Sequence, residues 1–492
     1  MSSLQIESPP RSQPRVPTTH ARRDPIVLCV AALTLLTLAL RLSQIHQGLF
    51  GDEAWTYGDI SGKTFGSVLT NVHTGGENSP PLFFLLAWAT GKIGDLSEWI
   101  RLPSIILSTL TVPLLFLLGR ETVGRVPGLL AAAILALSPF SFYYGVEARP
   151  YATMAFFVAL STLSLLRAVR TGKLGWWALY TACCVAAAYT HYTSVFVLLA
   201  QGLWSLWVCR DRIRAPLIAG ATAAVLYLPL VPHLRGKELG IIGVLEPLNA
   251  HNVLADLARP IAGYPYAPPS SIPSVPGLIL IVGCALVGLA YLVYRAYISK
   301  PQTTPPPDHF WLLVVLAVAT PVGMFVYSEL FTDIWLARGL YASVPAGALV
   351  LAVLATAIPR PWNRAAVAVI CAVLIFATIE AALPRWRRPP TRTIAAYLDA
   401  NAAPRTPIAF LTLFSQPAVT DQMRKSHRIV LPGRIAATTP PGGTAYLVVE
   451  DDFAKDFHTV PVPPAPAGMR LVGDRHYSSR VDPFDVVTYR RG

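Results

Sequence analysis

The feature that most constrains the fold of this chain is a series of long apolar runs separated by short basic loops. Of its residues, 53% are hydrophobic and only 14% are charged, whereas a soluble domain carries about 25% charged residues. A helix needs about 20 apolar residues to cross a bilayer, and eleven runs approach this length. They lie near 25–45, 100–119, 126–144, 150–168, 175–190, 193–209, 214–232, 273–295, 310–328, 339–358 and 364–383. The sequence therefore predicts an α-helical polytopic membrane protein with about 11 transmembrane helices.

Basic residues predict the side of the membrane on which each loop lies. Arg and Lys follow every even-numbered run, and cytoplasmic loops carry an excess of these residues. Four arginines also precede the first run, at positions 11, 15, 22 and 23. We therefore place the N-terminus in the cytoplasm and, because the number of spans is odd, the C-terminus outside the plasma or inner membrane. This bias accounts for the net charge of +13, so nucleic acid is not expected as a partner.

The same pattern divides the chain into three regions. Residues 1–24 form a cytoplasmic tail, residues 25–383 form the membrane domain, and residues 384–492 form a small extracytoplasmic domain. In the first outer loop, 46–99, the apolar segment 81–93 is too short to span the bilayer. We expect that segment to lie in the membrane interface.

The extracytoplasmic region has the pattern of an α/β domain. Residues 391–400 are predicted to form a helix. Three segments rich in β-branched or aromatic residues and bounded by turn residues predict strands, at 408–413, 444–449 and 484–489.

Polar side chains gather at the outer ends of the predicted helices, whereas the deep parts of the spans carry almost no charge. Ion and proton carriers usually place ionisable groups near the middle of the bilayer. The pattern therefore favours chemistry at the level of the lipid headgroups. The candidate site residues are Arg41, Asp52, Glu53, Glu77, Asn78, Glu147, Arg149, Tyr151, His191, Arg338 and Tyr341.

Four of these candidates also have a structural alternative, in or near the first two outer loops. Arg41 could extend its charged end to the outer interface. Asp52 could cap a helix that begins at Glu53. Glu147 and Arg149 could form a structural pair where a helix begins.

Two further candidates have alternatives near the later helices. His191 stands at a helix end, where a lone histidine is often structural. Arg338 could anchor the chain at the interface or pair with Asp333 or Glu329, a contact worth at most about 1 kcal/mol if exposed.

Short motifs stand in a definite order along the membrane domain. They are Gly51-Asp52-Glu53-Ala54-Trp55, Glu77-Asn78-Ser79-Pro80-Pro81-Leu82, Arg101-Leu102-Pro103-Ser104, Ser138-Pro139 followed by Glu147-Ala148-Arg149-Pro150-Tyr151, Thr190-His191-Tyr192, and Arg338-Gly339-Leu340-Tyr341 with Pro345. In this order and spacing, residues 25–383 resemble the GT-C glycosyltransferases, which include protein O-mannosyltransferases and bacterial aminoarabinose and lipopolysaccharide-sugar transferases. One position departs from that family, because Ser79 stands where a histidine often precedes the proline pair.

The resemblance implies transfer of one sugar from a polyprenyl-phosphate donor to a cell-envelope acceptor on the outer face. Asp52 would act as general base, and attack of the acceptor hydroxyl would invert the anomeric carbon. Glu53 and Glu147 complete the implied catalytic set, with Glu147 orienting Arg149 or the acceptor. The resemblance leaves open whether Asp52 and Glu147 share a divalent cation, since only some relatives use one.

Cations are expected around the departing phosphate. Arg338 is the first candidate, with Arg149 or Arg41 as a second. Substrate contacts are also implied for His191, Tyr151, Tyr341, Glu77 and Asn78. We expect Asp52, Glu147, His191 and Arg338 to line one cavity.

Two other functions are compatible with a membrane protein of this number of spans. A lipid-linked sugar flippase or another transporter would keep its activity without the Asp52 carboxylate. A non-catalytic envelope assembly protein would use the C-terminal domain for its partners. An enzyme, in contrast, requires Asp52.

Overall fold

The computed structural model describes residues 24–74, 77–234, 247–264, 271–298, 308–411, 415–450, 462–480 and 483–492. The predicted cytoplasmic tail lies outside the described residues except for Asp24. That residue accepts a hydrogen bond from the backbone N–H of Ile26 and so caps the first helix.

The membrane domain is built from helices. In chain order they are α1 (Pro25–Leu42), α2 (Gly51–Ile60), α3 (Phe65–Thr74), α4 (Leu82–Gly91), α5 (Leu96–Trp99), α6 (Leu102–Thr122), α7 (Arg125–Leu137), α8 (Pro139–Tyr144), α9 (Tyr151–Thr171), α10 (Leu174–Ala188), α11 (Ser194–Val208), α12 (Arg214–Tyr227), α13 (Ala250–Ala262), α14 (Val275–Ile298), α15 (Asp308–Leu330), α16 (Val344–Ala357) and α17 (Trp362–Ala381). Short 3₁₀ turns include Leu228–Leu234 and Ala337–Ser343.

Among the described residues, eight helical segments are long and apolar enough to cross a membrane. They coincide with eight of the eleven predicted spans, which confirms a mostly helical, multi-pass membrane fold. The other three predicted spans are also apolar helices, α7, α10 and α11, but they are shorter. The predicted run 126–144 breaks at Ser138, whose hydroxyl caps α8 just before Pro139. That these three helices also cross the bilayer stays a prediction.

The core of the membrane domain lies where α6, α7, α9 and α16 pack together. Leu115 of α6 and Leu349 of α16 are fully buried there, together with Leu135 of α7 and Met154 of α9. This packing holds the start of α9 in place, immediately after the segment that contains Glu147 and Arg149.

A separate apolar cluster lies beneath α2. It joins Leu49 and Ala54 to Val68 of α3, Phe83 of α4 and Ile100. The segment predicted to lie in the interface forms α4, which has ten residues. The cluster therefore holds the first outer loop as a packed unit that carries Asp52.

The C-terminal domain is a small α/β fold, as predicted. Its elements are α18 (Thr391–Asn401), β1 (Pro407–Phe410), α19 (Ser415–Thr420), β2 (Arg428–Val430), α20 (Ile435–Thr438), β3 (Thr444–Glu450), β4 (Met469–Tyr477) and β5 (Phe484–Arg491). The strand order is β2-β1-β3-β5-β4. Strand β1 runs parallel to β2 and β3, whereas β5 is antiparallel to β3 and β4. Strands β2 and β4 were not predicted, because both lie at sheet edges and are largely exposed.

Candidate active site

A cavity of about 1100 Å³ opens beside the first turn of α2. Polar side chains from α2 and from the loops before α4, α9 and α11 line one part of it. Apolar residues of α10, α11 and α12 line much of the rest, including Val185, Leu199, Leu203 and Ala223. The cavity therefore joins a polar end to a long apolar wall.

Seven of the eleven predicted site residues line this cavity. They are Asp52, Glu77, Asn78, Arg149, Tyr151, His191 and Arg338. The structure thus brings together residues that are up to 286 positions apart in the chain.

Asp52 and Arg338 form an ion pair at the polar end of the cavity. An Arg338 guanidinium nitrogen lies 2.6 Å from Oδ2 of Asp52, and each side chain is about one quarter exposed (24% and 25%). Burial of Asp52 opposes its ionisation, but Arg338 and then Arg149 outweigh this effect and hold its pKa below the ordinary value. Asp52 therefore carries the charge that a general base needs.

The structure contradicts the helix-cap alternative for Asp52 and the Asp333 pairing considered for Arg338. Helix α2 begins at Gly51, so Asp52 lies inside the helix and does not cap it. The Asp333 carboxylate accepts hydrogen bonds from the backbone N–H groups of Leu248 and Trp335. Arg338 has its carboxylate partner in Asp52 instead.

Glu53 lies beside Asp52 but has a different environment. It is fully buried and does not line the cavity. Its carboxylate accepts two hydrogen bonds from Arg101, at 2.9 and 2.7 Å, and lies 3.3 Å from Arg388. Burial opposes ionisation, yet the two arginines lower the pKa of Glu53 to about 2. We therefore correct the catalytic assignment of Glu53, which holds the local structure.

The carboxylate of Glu53, and not that of Asp52, accepts backbone hydrogen bonds at the start of α2. Its carboxylate accepts a hydrogen bond from the backbone N–H of Phe50 at 3.1 Å. It accepts another from the backbone N–H of Ala148 at 2.9 Å. Glu53 thereby ties the first turn of α2 to the segment that precedes α9.

Arg149 is paired with Glu77 and not with Glu147. Its two terminal nitrogens lie 2.7 and 3.2 Å from the Glu77 carboxylate, and both side chains are largely buried. A further hydrogen bond of 3.4 Å reaches Thr56 of α2. The structural pair considered for Glu147 and Arg149 is therefore wrong. Arg149 lines the cavity with its charge already compensated.

Glu147 is buried next to the site but does not line the cavity. It is fully buried, and neither carboxylate oxygen has a hydrogen-bond partner among the described residues. Burial and the nearby charge of Asp52 raise the pKa of Glu147 to about 8. The expectation that Glu147 lines the cavity is wrong, since its backbone binds Ser104 and the side chain is held within the protein.

His191 and Tyr151 form part of the cavity wall near Arg338. The Nδ1 atom of His191 lies 2.9 Å from the Thr193 hydroxyl. Burial, then Arg149 and Arg338, lowers the pKa of His191 to about 3. His191 is therefore neutral at physiological pH. The Tyr151 ring lies 5.3 Å from the His191 ring and 5.9 Å from the Arg338 guanidinium.

Arg41 does not line the cavity. It is fully buried and donates hydrogen bonds to the Ser108 hydroxyl at 2.8 Å and to the backbone oxygen of Ser141 at 3.0 Å. A Cβ atom at Gly145 would lie 2.4 Å from Nε of Arg41, so this packing requires glycine there. Arg41 neither extends to the interface nor reaches a phosphate in the cavity, and we correct both expectations.

Tyr341 is also absent from the cavity lining. It packs between Phe140 and Tyr144, with ring centroids 5.6 and 6.0 Å away. Its predicted substrate contact is therefore corrected to a packing role beneath the site.

Two lining residues on the same helix as Asp52 were missed in the sequence. Trp55 and Asp59 follow Asp52 at three and seven positions along α2, and both line the cavity. Residues at this spacing share one face of a helix. The same spacing would have identified them once α2 was recognised as a helix. Trp55 is about half exposed (49%).

The described residues show no group of three or more His, Cys, Asp or Glu side chains that could hold a metal ion. Asp52 is paired with Arg338, and Glu147 is buried with a raised pKa. These two carboxylates therefore do not fit the shared cation site that the resemblance left open.

Residues 78–235 match the family model described as dolichyl-phosphate-mannose-protein mannosyltransferase. The resemblance to the GT-C glycosyltransferases is confirmed. The match supports glycosyl transfer as the general activity. It includes Asn78, Glu147, Arg149, Tyr151 and His191 but ends before Arg338. No curated protein matches the chain as a relative.

Solved structures of membrane glycosyltransferases are distantly similar to the chain. An oligosaccharyltransferase from Archaeoglobus fulgidus is 11% identical, with a TM-score of 0.48 over 86% of this chain and 68% of that one. ArnT from Cupriavidus metallidurans is 15% identical, with a TM-score of 0.44 over 94% and 97%. Arabinosyltransferase EmbB from Mycobacterium smegmatis is 19% identical, with a TM-score of 0.41 over 80% and 33%. All three TM-scores lie below 0.5, so the site is interpreted from this chain's own residues.

Proposed function

We propose that this protein transfers one sugar from a polyprenyl-phosphate donor to a cell-envelope acceptor, which is a glycan, a lipid or a protein. The reaction takes place on the outer face of the membrane, inverts the anomeric carbon and uses Asp52 as general base. The observation that carries the proposal is the Asp52–Arg338 pair at the polar end of a cavity with an apolar wall. One residue can accept a proton, and the other can bind a phosphate.

The apolar wall supports a lipid-linked donor. Helices α10, α11 and α12 supply small and aliphatic side chains to the cavity, among them Ala188, Leu206 and Gly220. An isoprenoid chain can lie along such a surface without leaving any polar group unpaired. A water-soluble nucleotide sugar would gain nothing from it.

The charges of the site support a phosphate leaving group. Arg149 is engaged by Glu77, whereas Arg338 binds the partly exposed Asp52. A donor phosphate can therefore compete for the Arg338 guanidinium, whose planar fork fits two phosphate oxygens. Withdrawal of Arg338 from Asp52 would at the same time make that carboxylate more basic.

The reaction then balances as a single displacement. The acceptor oxygen bonds to the anomeric carbon while the bond from that carbon to the phosphate oxygen breaks. The hydroxyl proton passes to Asp52, and the electron pair leaves with the phosphate, where Arg338 stabilises the charge. Attack from the face opposite the phosphate inverts the carbon, and Asp52 is the carboxylate we assign to this face.

The membrane orientation belongs to the same proposal. A cytoplasmic N-terminus and an extracytoplasmic C-terminus place Asp52 and the cavity mouth outside the cytoplasm, in agreement with the basic loops. In that compartment a sugar must arrive on a lipid, because nucleotide sugars are absent. The sugar, the acceptor class and the length of the carrier are to be identified by assay.

Purified protein in liposomes, supplied with radiolabelled polyprenyl-phosphate sugars and cell-envelope extracts, tests the proposal. Label should move from the lipid to an acceptor with the unaltered chain and not with Asp52→Asn. A solute or lipid-linked sugar that crosses the bilayer equally well with both proteins would establish a transporter and reject the enzyme. Retention of envelope assembly by the Asp52→Asn protein would favour the non-catalytic class.

A further inference from the structure

The segment that follows α17 passes directly over the loop that leads into α2. We call residues 382–390 the linker, since they join the membrane domain to the C-terminal domain. The backbone N–H of Arg388 in the linker donates a hydrogen bond of 2.9 Å to the side-chain oxygen of Gln47. A Cβ atom at Gly48 would lie 2.2 Å from the backbone oxygen of Pro389. Two backbones therefore touch here, at a distance that only glycine permits.

The Arg388 side chain extends from the linker into the protein and is fully buried. Its Nε atom lies 3.3 Å from the Glu53 carboxylate. One terminal nitrogen donates to the backbone oxygen of Tyr143 at 3.1 Å, and the guanidinium lies 4.2 Å from the Tyr143 ring. The other donates to the Gln44 side chain at 3.3 Å. One buried cation thus joins the linker, the loop before α2 and the residue next to Asp52.

The C-terminal domain itself also contacts α2. Helix α19 packs on α2, and Ala418 is buried in the same apolar cluster as Leu49 and Ala54. The Gln422 amide donates a hydrogen bond of 2.9 Å to the Thr391 hydroxyl at the start of α18. The domain therefore rests on the helix that carries the proposed base.

We infer that Arg388 is a positioning residue that acts through Glu53 and fixes the first turn of α2, and with it the Asp52 carboxylate. The linker and the C-terminal domain are then part of the framework of the site, not an independent appendage. The part of this inference that concerns catalysis rests on the proposed function. The part that concerns the order of α2 does not.

A second arginine allows the inference to be tested without unfolding the protein. Arg101 binds both oxygens of Glu53 and donates to the backbone oxygens of Ile45, Gln47 and Gly48. Loss of Arg388 therefore leaves the Glu53 carboxylate with a cationic partner inside the membrane domain. The expected effect is local loosening of α2, while the helix bundle stays folded.

The variants are Arg388→Gln, which removes the charge, and Arg388→Lys, which keeps the charge but lacks the planar guanidinium group. Arg387→Gln is the matched control, because Arg387 is the exposed neighbour in the same linker. Amide hydrogen exchange is measured by mass spectrometry on the full chain in detergent or nanodiscs, which requires no substrate. We expect peptides covering 47–60 to exchange at least about tenfold faster in Arg388→Gln, less so in Arg388→Lys, and unchanged in Arg387→Gln.

The inference is overturned if exchange in 47–60 is the same in Arg388→Gln as in the control. It is also overturned if Arg388→Gln and Arg388→Lys both accelerate exchange equally throughout the membrane helices, because the residue would then serve general stability. Where a polyprenyl-phosphate sugar donor is turned over, kcat should fall about 10- to 100-fold while the KM for that donor stays unchanged. If exchange responds as expected but the unaltered chain consumes no such donor, the proposed function fails and the positioning of α2 stands.

Discussion

Asp52 and Arg338 neutralise each other across 2.6 Å at the polar end of the cavity. The proposed base is thus paired with the proposed phosphate-binding cation. A phosphate that takes over Arg338 would release Asp52 at the moment when a base is needed. Under the proposed function, the pair would couple occupancy of the donor site to the basicity of the carboxylate.

Replacement of Asp52 by asparagine should abolish turnover while the protein stays folded. Loss of a general base typically lowers kcat by about 10²- to 10⁴-fold, and the partly exposed ion pair contributes little to stability. Transfer of radiolabelled sugar and thermal unfolding are measured on the same preparation. Asp333→Asn is the charge-matched control. Leu248 and Trp335 donate to different oxygens of Asp333, so asparagine keeps only one of these two hydrogen bonds, and we expect a loss of stability in this variant without loss of turnover. Equal losses of turnover in both variants would contradict the role of Asp52.

Arg338→Lys should weaken donor binding without an appreciable change in thermal stability. Lysine keeps the charge but cannot present two parallel N–H groups to a phosphate, so we expect about a tenfold increase in the donor Kd. Binding is measured with undecaprenyl phosphate in nanodiscs. Unchanged affinity together with a stability loss would assign Arg338 to structure alone.

Glu77→Gln should destabilise the protein, because it leaves the Arg149 charge buried without a carboxylate. Removal of one partner from a buried pair costs about 3–5 kcal/mol. The control is Asp24→Asn, which breaks an exposed ion pair with Arg125 and should change the free energy of unfolding little. Chemical unfolding of both variants gives the comparison. A small and similar loss in both would show that the Glu77–Arg149 pair contributes little.

The raised pKa of Glu147 predicts a slope of stability with pH. An unfolded glutamate releases its proton near pH 4.3, whereas buried Glu147 keeps it until about pH 8. Between these values the native state binds more protons than the unfolded state, so stability falls as pH rises, by at most about 1.4 kcal/mol per pH unit. Glu147→Gln should remove this component, whereas Glu329→Gln at an exposed site should not. Parallel unfolding curves for the unaltered chain and Glu147→Gln from pH 5 to 8.5 would contradict the prediction.

A reporter fused after Gly492 should be active only outside the cytoplasm. This outcome follows from an odd number of spans, three of which are the short helices α7, α10 and α11. A reporter that requires the cytoplasm should be inactive at the same position. Activity of the cytoplasmic reporter would mean that one of the short helices does not cross the bilayer.

The sequence predicted the helices well because a long apolar run is stable only where it is buried in lipid or protein, and there it forms a helix. It also located the polar end of the cavity, since Asp52 and Arg338 stand in short segments between such runs. It did not separate Asp52 from Glu53, because two adjacent acids look alike until the helix that carries them is oriented. Arg41 was misplaced for a related reason. Nothing in its neighbourhood indicates that Ser108 and the Ser141 carbonyl satisfy its guanidinium inside the bundle.

The burial of Glu53 has a consequence for how natural selection acts on this chain. Asp52 and Glu53 should both tolerate almost no replacement, but for opposite reasons. Loss of Asp52 would remove the proposed base, and loss of Glu53 would remove the contacts that hold the first turn of α2 in place. A comparison of homologues would record two equally invariant acids and could not tell them apart. A folded but inactive protein would identify one, and a protein with a disordered α2 would identify the other.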